Sequence, residues 1–192
     1  MEFKIENTKI YGLDEAILNS GNSYRTSFRA VDDLNEKDYL RAEKLGKVEP
    51  GSGHDSFLNG ITVTMNITAP LYWWKQAQRY HWLEFVSSQS TMHCVLKFNL
   101  KEQCVKEVDD RIINIVQELI DEYNKTKDDE VWHKIIASLP SGFCLGASMV
   151  TNYRQLKTIC KQRKGHHLKE WKTFIDWCCT LPEFEKLTSI TR

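Results

Sequence analysis

Apolar and polar positions along this chain follow two rhythms, one of period two and one near 3.6. Near the start, FKIENTKIYG alternates apolar with polar residues, and VDDLNEKDYLRAEKLGK is charged and helix-like. A loop rich in Gly, Pro and Ser occupies residues 49–56. After it, FLNGITVTMNITAP alternates β-branched with polar residues and puts Ile61, Val63, Met65 and Ile67 on one face. That pattern predicts a strand, and Pro70 both ends it and suits the first turn of a helix.

The helix expected from Leu71 runs through QAQRYHWLEFVSSQSTMH, residues 76–93. At about 100° per residue, Tyr72, Gln76, Arg79 and Leu83 share one face, and Leu71, Trp74, Gln78, Trp82 and Phe85 share another. A second helix is expected in DDRIINIVQELIDEYNK, where Ile112, Ile115, Val116, Leu119, Ile120 and Tyr123 recur at helical spacing behind Asp109 and Asp110. DEVWHKIIASLP makes a third, stopped by Pro140. After the turn-like SGFCLG, SMVTNYRQLKTICKQRK and HLKEWKTFIDWCCTL read as two more helices, split at Gly165. A strand-containing first half followed by a helical half predicts an α+β fold. The length of 192 residues fits a single domain over 1–192, since domains commonly hold ~100–200 residues.

Composition narrows the function classes. Lys+Arg and Asp+Glu balance at 26 each, so no global field recruits nucleic acid or an anionic membrane, and neither partner is expected. No apolar run approaches the ~20 residues of a spanning helix, and MEFKIENTKIYG lacks the basic-then-apolar pattern of a secretory signal. Six scattered cysteines contain no CxxC pair, and the adjacent Cys178 and Cys179 suit neither an ordinary disulfide nor a tetrahedral metal clip. They read as free thiols in a reducing cytoplasm, packed as small hydrophobes. No metal site is expected: the six histidines lack zinc spacing, and His166-His167 reads as a solvated helix start. GxGxxG, P-loop, GxSxG and HExxH motifs are all absent.

The residues around Arg79 admit two readings. The aromatic stripe packs a core or forms a ligand box. Gln76 and Arg79, one turn apart, present an amide and a guanidinium to one ligand or simply face water; an Arg fork suits a phosphate. SSQST (87–91) is a turn or a cradle of backbone N–H groups for an anion. Arg154, Lys157, Lys161, Arg163 and Lys164 form a basic stripe, either a solvated face or one that meets phosphates.

Two blocks carry a resemblance. The first spans GHDSFLNGITVTMNITAPLYWWKQAQRYHWLEFVSSQSTMH, with Gly53-His54 and Ser56, the Ala69-Pro70 break, Gln76, Arg79 and Gln89-Ser90-Thr91. The second has Leu139-Pro140, then Asn152, Arg154 and Leu156 in NYRQL, then Arg163 and His167. Together, over about residues 50–171, they resemble the flavin-dependent thymidylate synthases. The motifs of that family read GHxSxFEH, RQWxRHRxxSxNExSxRY, and LP followed by NxRxL and a later Arg.

The resemblance implies an antiparallel sheet with long helices. It also implies a homotetramer with shared active sites and FAD bound between subunits. Methylenetetrahydrofolate and NADPH would be co-substrates in methylation at C5 of a deoxypyrimidine monophosphate such as dUMP. It further implies that Gln76, Arg79, Ser90, Thr91 and Arg163 hold the nucleotide, with Arg163 as the catalytic residue near the pyrimidine and Arg79 near the phosphate. Ser56, Tyr80, His81, Asn152 and Arg154 would contact FAD.

The chain also departs from the pattern. The RHR triplet is Arg79-Tyr80-His81, its downstream Ser is Glu84, and the Glu and His closing the first motif are Asn59 and Gly60. The Asn-Glu pair is Val86-Ser87, the final Arg-Tyr is Met92-His93, and the arginine before LP is Ile136. These changes are the basis for an alternative expectation, a homologue that binds a nucleotide in a regulatory or non-synthase role.

Overall fold

The computed structural model describes all residues, 1–192. Its sheet has four antiparallel strands, β1 (Lys4–Tyr11), β2 (Thr62–Pro70), β3 (Glu84–Ser88) and β4 (Cys144–Asn152), in the order β1-β2-β4-β3. The strand expected from FLNGITVTMNITAP is β2, and Ile61, Val63, Met65 and Ile67 are buried as its spacing required. Contacts divide the chain into two compact units, each built from several segments.

The first unit comprises Met1–Lys4, Asn66–Arg79 and Phe85–Ser148. It contains α3 (Leu71–Ala77), α4 (Thr91–Cys94), α5 (Leu100–Gln103) and the antiparallel neighbours α6 (Asp110–Thr126) and α7 (Asp129–Ser138). The caps of α6 and α7 are in the sequence. Asp109 and Asp128 accept hydrogen bonds from the backbone N–H groups of Arg111 and Glu130, and Lys127, at φ 55°, turns the chain between the helices. Val116, Ile120 and Ile135 pack with Phe143, Val95, Leu100 and Cys104. Ile112 and Ile115 are exposed instead, so the apolar stripe of α6 is wider than the core that uses it.

The second unit comprises Ile5–Met65, Tyr80–Glu84 and Met149–Arg192. It contains α1 (Leu13–Asn19), α2 (Glu36–Gly46), α8 (Tyr153–Arg163), α9 (Lys169–Cys178) and α10 (Phe184–Thr188). Its core includes Ile17, Leu18, Leu58, Tyr153, Leu156, Ile159, Trp171, Phe174 and Phe184. The split expected at Gly165 is real, since that residue adopts φ +73° between α8 and α9. All six cysteines are free and five are buried. No helix is long and apolar enough to cross a membrane.

Two expected helices are partly strand. The helix from Leu71 stops at Ala77, and Glu84–Ser88 is extended, so Arg79, Leu83, Trp82 and Phe85 do not lie on helical faces. Val86, Ser87 and Ser88 are weak helix formers, and the segment is drawn to β4, where Gln89 N–H donates to Gly146 O at 2.8 Å and Gly146 N–H to Gln89 Oε1 at 2.7 Å. Likewise SMVTN belongs to β4, and Asn152 is the N-cap of α8 rather than a residue inside a helix.

Candidate functional site

At the start of α8, the Oδ1 of Asn152 accepts a hydrogen bond from the backbone N–H of Gln155 at 2.9 Å. This cap leaves its Nδ2 to a cavity of about 220 Å³ lined by Pro50, Gly51, Asn59, Trp82, Asn152, Arg154, Gln155 and Thr158. Arg154 is held on one side only: its Nε donates to Oδ1 of Asp55 at 3.0 Å, and the structure shows no partner for either terminal nitrogen. The other oxygen of Asp55 accepts from Nζ of Lys157 at 2.8 Å. Both Asp55 and Lys157 have fully buried side chains. Lys157 donates its remaining N–H groups to the carbonyl oxygens of Gly46, at 2.8 Å, and Val48. Gly51 has φ +96°, and a Cβ built on it would meet nothing within 4 Å, so the backbone there is open to a ligand.

Chemically the cavity offers an arginine fork, three side-chain amides and one hydroxyl beside Trp82, a residue 58% exposed. Such a set accepts a planar, carbonyl-bearing ring or an oxyanion: amides and guanidinium bind the oxygens, and an open aromatic face stacks on the ring. Its volume lies below the ~300–1,000 Å³ typical of pockets enclosing a whole ligand, so within this unit there is room for only part of a larger molecule. A second cavity of about 410 Å³ includes Ser20, Ser23, Tyr24, His54 and Ser56 in its lining. Ser56 and its motif neighbour His54 therefore face this space, not the one with Arg154.

The end of α8 holds a different arrangement. Arg163 Nε donates to the hydroxyl of Tyr80 at 2.7 Å. Its guanidinium carbon lies 4.5 Å from the ring centre of Trp171 and 5.3 Å from that of Tyr80. Both rings are buried, and water is kept from the faces that attract the cation. His166 closes the group: its Nδ1 accepts from Leu168 N–H at 3.1 Å. Its pKa is held below the ordinary 6.5 by desolvation, then by the charges of Arg163 and His167. Of the two histidines expected at a solvated helix start, His167 is exposed and His166 is half-buried against Trp171.

The remaining expected residues are placed as follows. His81 is exposed and stacks edge-on to Trp82, with ring centres 4.8 Å apart. In the first unit, Gln76 is half-buried on α3, and Arg79 is exposed one turn further on, its N–H donating to Gln76 O at 3.3 Å. Ser90 precedes the four-residue α4 and Thr91 opens it, both half-buried, and no side chain caps that turn. Thus Asn152 and Arg154 come together, as do Tyr80 and Arg163, while His81 meets the first cavity's wall through Trp82 and Ser56 lies in the second cavity.

The basic stripe is solvated only in part: Lys164 is exposed, and the other four side chains have partners. Arg154 and Lys157 bind Asp55, Lys161 binds Glu49 and Arg163 binds Tyr80. Sequence reasoning missed Asp55, and placed Lys157 in a surface stripe and Trp82 on a helical face rather than beside Arg154. The available signal was the three-residue step from Arg154 to Lys157, which places them on one side of a helix.

The fold is that of the flavin-dependent thymidylate synthases. The chain is similar over its full length to ThyX of Helicobacter pylori, solved with FAD and dUMP, at a TM-score of 0.73 and 17% identity, covering 100% of both chains. It is also similar to the UMP/dUMP methylase PolB of Streptomyces cacaoi, solved with 5-Br dUMP. That match has a TM-score of 0.66 and 15% identity, and it covers 99% of this chain and 93% of that one. No family model and no curated protein matches the sequence.

Proposed function

We propose that this protein is a flavoenzyme that modifies C5 of a deoxypyrimidine monophosphate, with folate-dependent methylation of dUMP as the leading reaction. The observation that carries this reading is Arg154. It is gripped at Nε with its fork open, in a cavity shared with Asn152 and Trp82, on a fold whose solved members are described with FAD and dUMP. The residues present fit a flavin: amide and guanidinium donors match its carbonyl oxygens, and Trp82 supplies a stacking face. Bound FAD would supply the hydride chemistry, with NADPH as reductant and methylenetetrahydrofolate as one-carbon donor. Arg154 and Asn152 orient and polarise the cofactor. Arg79 and Gln76 bind the nucleotide phosphate, with Ser90 and Thr91 beside them, and Arg163 interacts with the pyrimidine.

A homotetramer with shared sites belongs to the same proposal. All five residues of β3 are exposed although it carries Phe85 and Val86, and Met92 and Leu96 follow it with their side chains also exposed. An uncovered apolar edge of this kind fits burial against another copy. The absorbance spectrum of the purified protein, before and after adding FAD, tests the central reading. A flavin band that persists through gel filtration is expected, and a protein that neither carries nor retains FAD overturns it.

A second reading, a nucleotide-binding homologue without synthase activity, is favoured by one contact. The guanidinium assigned to the pyrimidine is already bonded to Tyr80 and stacked on Trp171. That reading expects dUMP to raise the melting temperature without turnover. Growth of a thymidine-requiring bacterium rescued by this protein would eliminate it.

A further inference from the structure

A lysine with no exposed side-chain surface is costly, because the effective penalty of removing an ammonium from water is several kcal/mol. Lys157 meets that cost with three acceptors: Gly46 O, Val48 O and Asp55 Oδ2. Two of them sit at the end of α2 and just beyond it, where the chain begins the loop that brings Pro50 and Gly51 to the cavity wall. The third is the carboxylate whose other oxygen holds Arg154. A simple Arg–Asp pair at a cavity rim would need neither a buried carboxylate nor a second cation. Here Asp55 is fixed from behind, so the Arg154 side chain is restrained at Nε and its terminal nitrogens are left to the cavity.

We propose that Lys157 is a positioning residue. Through Asp55 it sets the orientation of the Arg154 fork, and through Gly46 and Val48 it sets the wall facing that fork. The cavity then presents a prearranged donor pair to a carbonyl-bearing ring or an oxyanion. A bond formed by a fork already in place loses less rotamer freedom on binding. The identity of the ligand rests on the flavin reading above; the positioning of Arg154 does not.

The test uses the full-length protein and two readouts. One is the hydrogen exchange of the Arg154 Nε–H, followed by nitrogen NMR and assigned with Arg154→Lys. The other is the FAD dissociation constant from flavin fluorescence. In the unaltered protein the Arg154 Nε–H exchanges slowly; exchange as fast as that of an exposed arginine overturns the proposal without any variant. Lys157→Met leaves Asp55 with one cation and risks unfolding. The pair Asp55→Asn with Lys157→Met removes both buried charges together and is the working variant, read against Asp55→Asn alone; an effect no larger than that of the single variant overturns a positioning role for Lys157.

With its melting temperature close to the unaltered protein, the pair speeds Nε–H exchange and weakens FAD binding about 10–100-fold, the scale of one charge-assisted hydrogen bond. A folded pair variant with unchanged exchange and unchanged FAD affinity shows a merely structural lysine. If the unaltered protein binds no FAD, the flavin reading fails, and the exchange data alone decide whether Lys157 positions Arg154.

Discussion

Replacing Asp38 with Asn should release residues 22–37 of the second unit. None of those sixteen positions is buried, and Leu34 is the one half-buried apolar residue among them, so little apolar burial anchors the segment. Its anchor is electrostatic. Asp38, on α2 with 1% exposure, accepts from Arg25 Nη2 at 2.9 Å, from Arg41 Nη2 at 2.7 Å, and from Arg29 Nη1 at 3.1 and 3.0 Å on its two oxygens. It also accepts from the backbone N–H of Asn35 in a capping box. Burial pushes its carboxyl up, but the Arg41 hydrogen bond, the Asn35 N–H and the charges of Arg29 and Arg41 outweigh it and leave the pKa below 3.8.

Three charge-assisted bonds at ~1.5–3 kcal/mol each would total more than the segment can lose. An asparagine keeps one acceptor, and the arginines are 15–30% exposed and partly screened. The expected loss is about 2–4 kcal/mol of local opening free energy. At 1.4 kcal/mol per decade, that raises cleavage of the segment about 30- to 1,000-fold. The assay is limited trypsin digestion, with cuts at Arg25 and Arg29 located by mass spectrometry. Rates within threefold of the unaltered protein would refute the reasoning. The consequence reaches the site, because Ser23 and Tyr24 line the cavity that contains His54 and Ser56.

The other expectations are simpler. The same carboxylate has a folded pKa below its unfolded one. Its stabilisation is therefore present above the ordinary range and lost as pH falls below 3.8 towards the folded value, and trypsin replaced by pepsin should show the segment opening there. His166 has a lowered folded pKa, so the unfolded state takes up its proton first and stability falls as pH drops below about 6.5. In urea titrations at pH 7.5 and 5.5, His166→Asn should show a smaller difference than the unaltered protein. Gly12→Ala places a Cβ 2.5 Å from Gly60 O at φ +75°, and the left-handed strain alone costs ~1–2 kcal/mol; a loss under 1 kcal/mol in urea would contradict it. Tyr80→Phe removes the acceptor of Arg163 Nε and should lower stability by about 1–2 kcal/mol in the same assay.

Much of this was legible where local chemistry and tertiary demand agree. β2 announced itself by alternation, and α6 and α7 by an aspartate cap followed by an amphipathic run. β3 and β4 did not. LEFVSS and SMVTN are short, and what extends them is pairing across the sheet, as between Gln89 and Gly146, which no local window contains. In NYRQL the asparagine was read as helical interior, although Asn after β-branched Val150 and Thr151 is the ordinary signature of an N-cap. The Asp55–Lys157 pair was least legible of all. Its members are 102 residues apart, and nothing near Lys157 says that this lysine, alone among the cations of α8, turns wholly inward.

The departures from the synthase motifs separate into two kinds once their surroundings are known. Ile136 packs against the first unit's core, and Tyr80 is buried with its hydroxyl on Arg163. At those positions the new side chain has a structural task, and the replaced group could not be restored without repacking. His81, Glu84, Asn59 and Gly60 are exposed. A Cβ on Gly60 would meet only Ala16 Cβ, at an ordinary 3.4 Å, so packing does not demand glycine there. Exposed positions of this kind can change without cost to the fold, which is how 17% identity coexists with a TM-score of 0.73. Of these four, Asn59 lines the cavity that also includes Asn152 and Arg154, and His81 stacks on Trp82 of its wall.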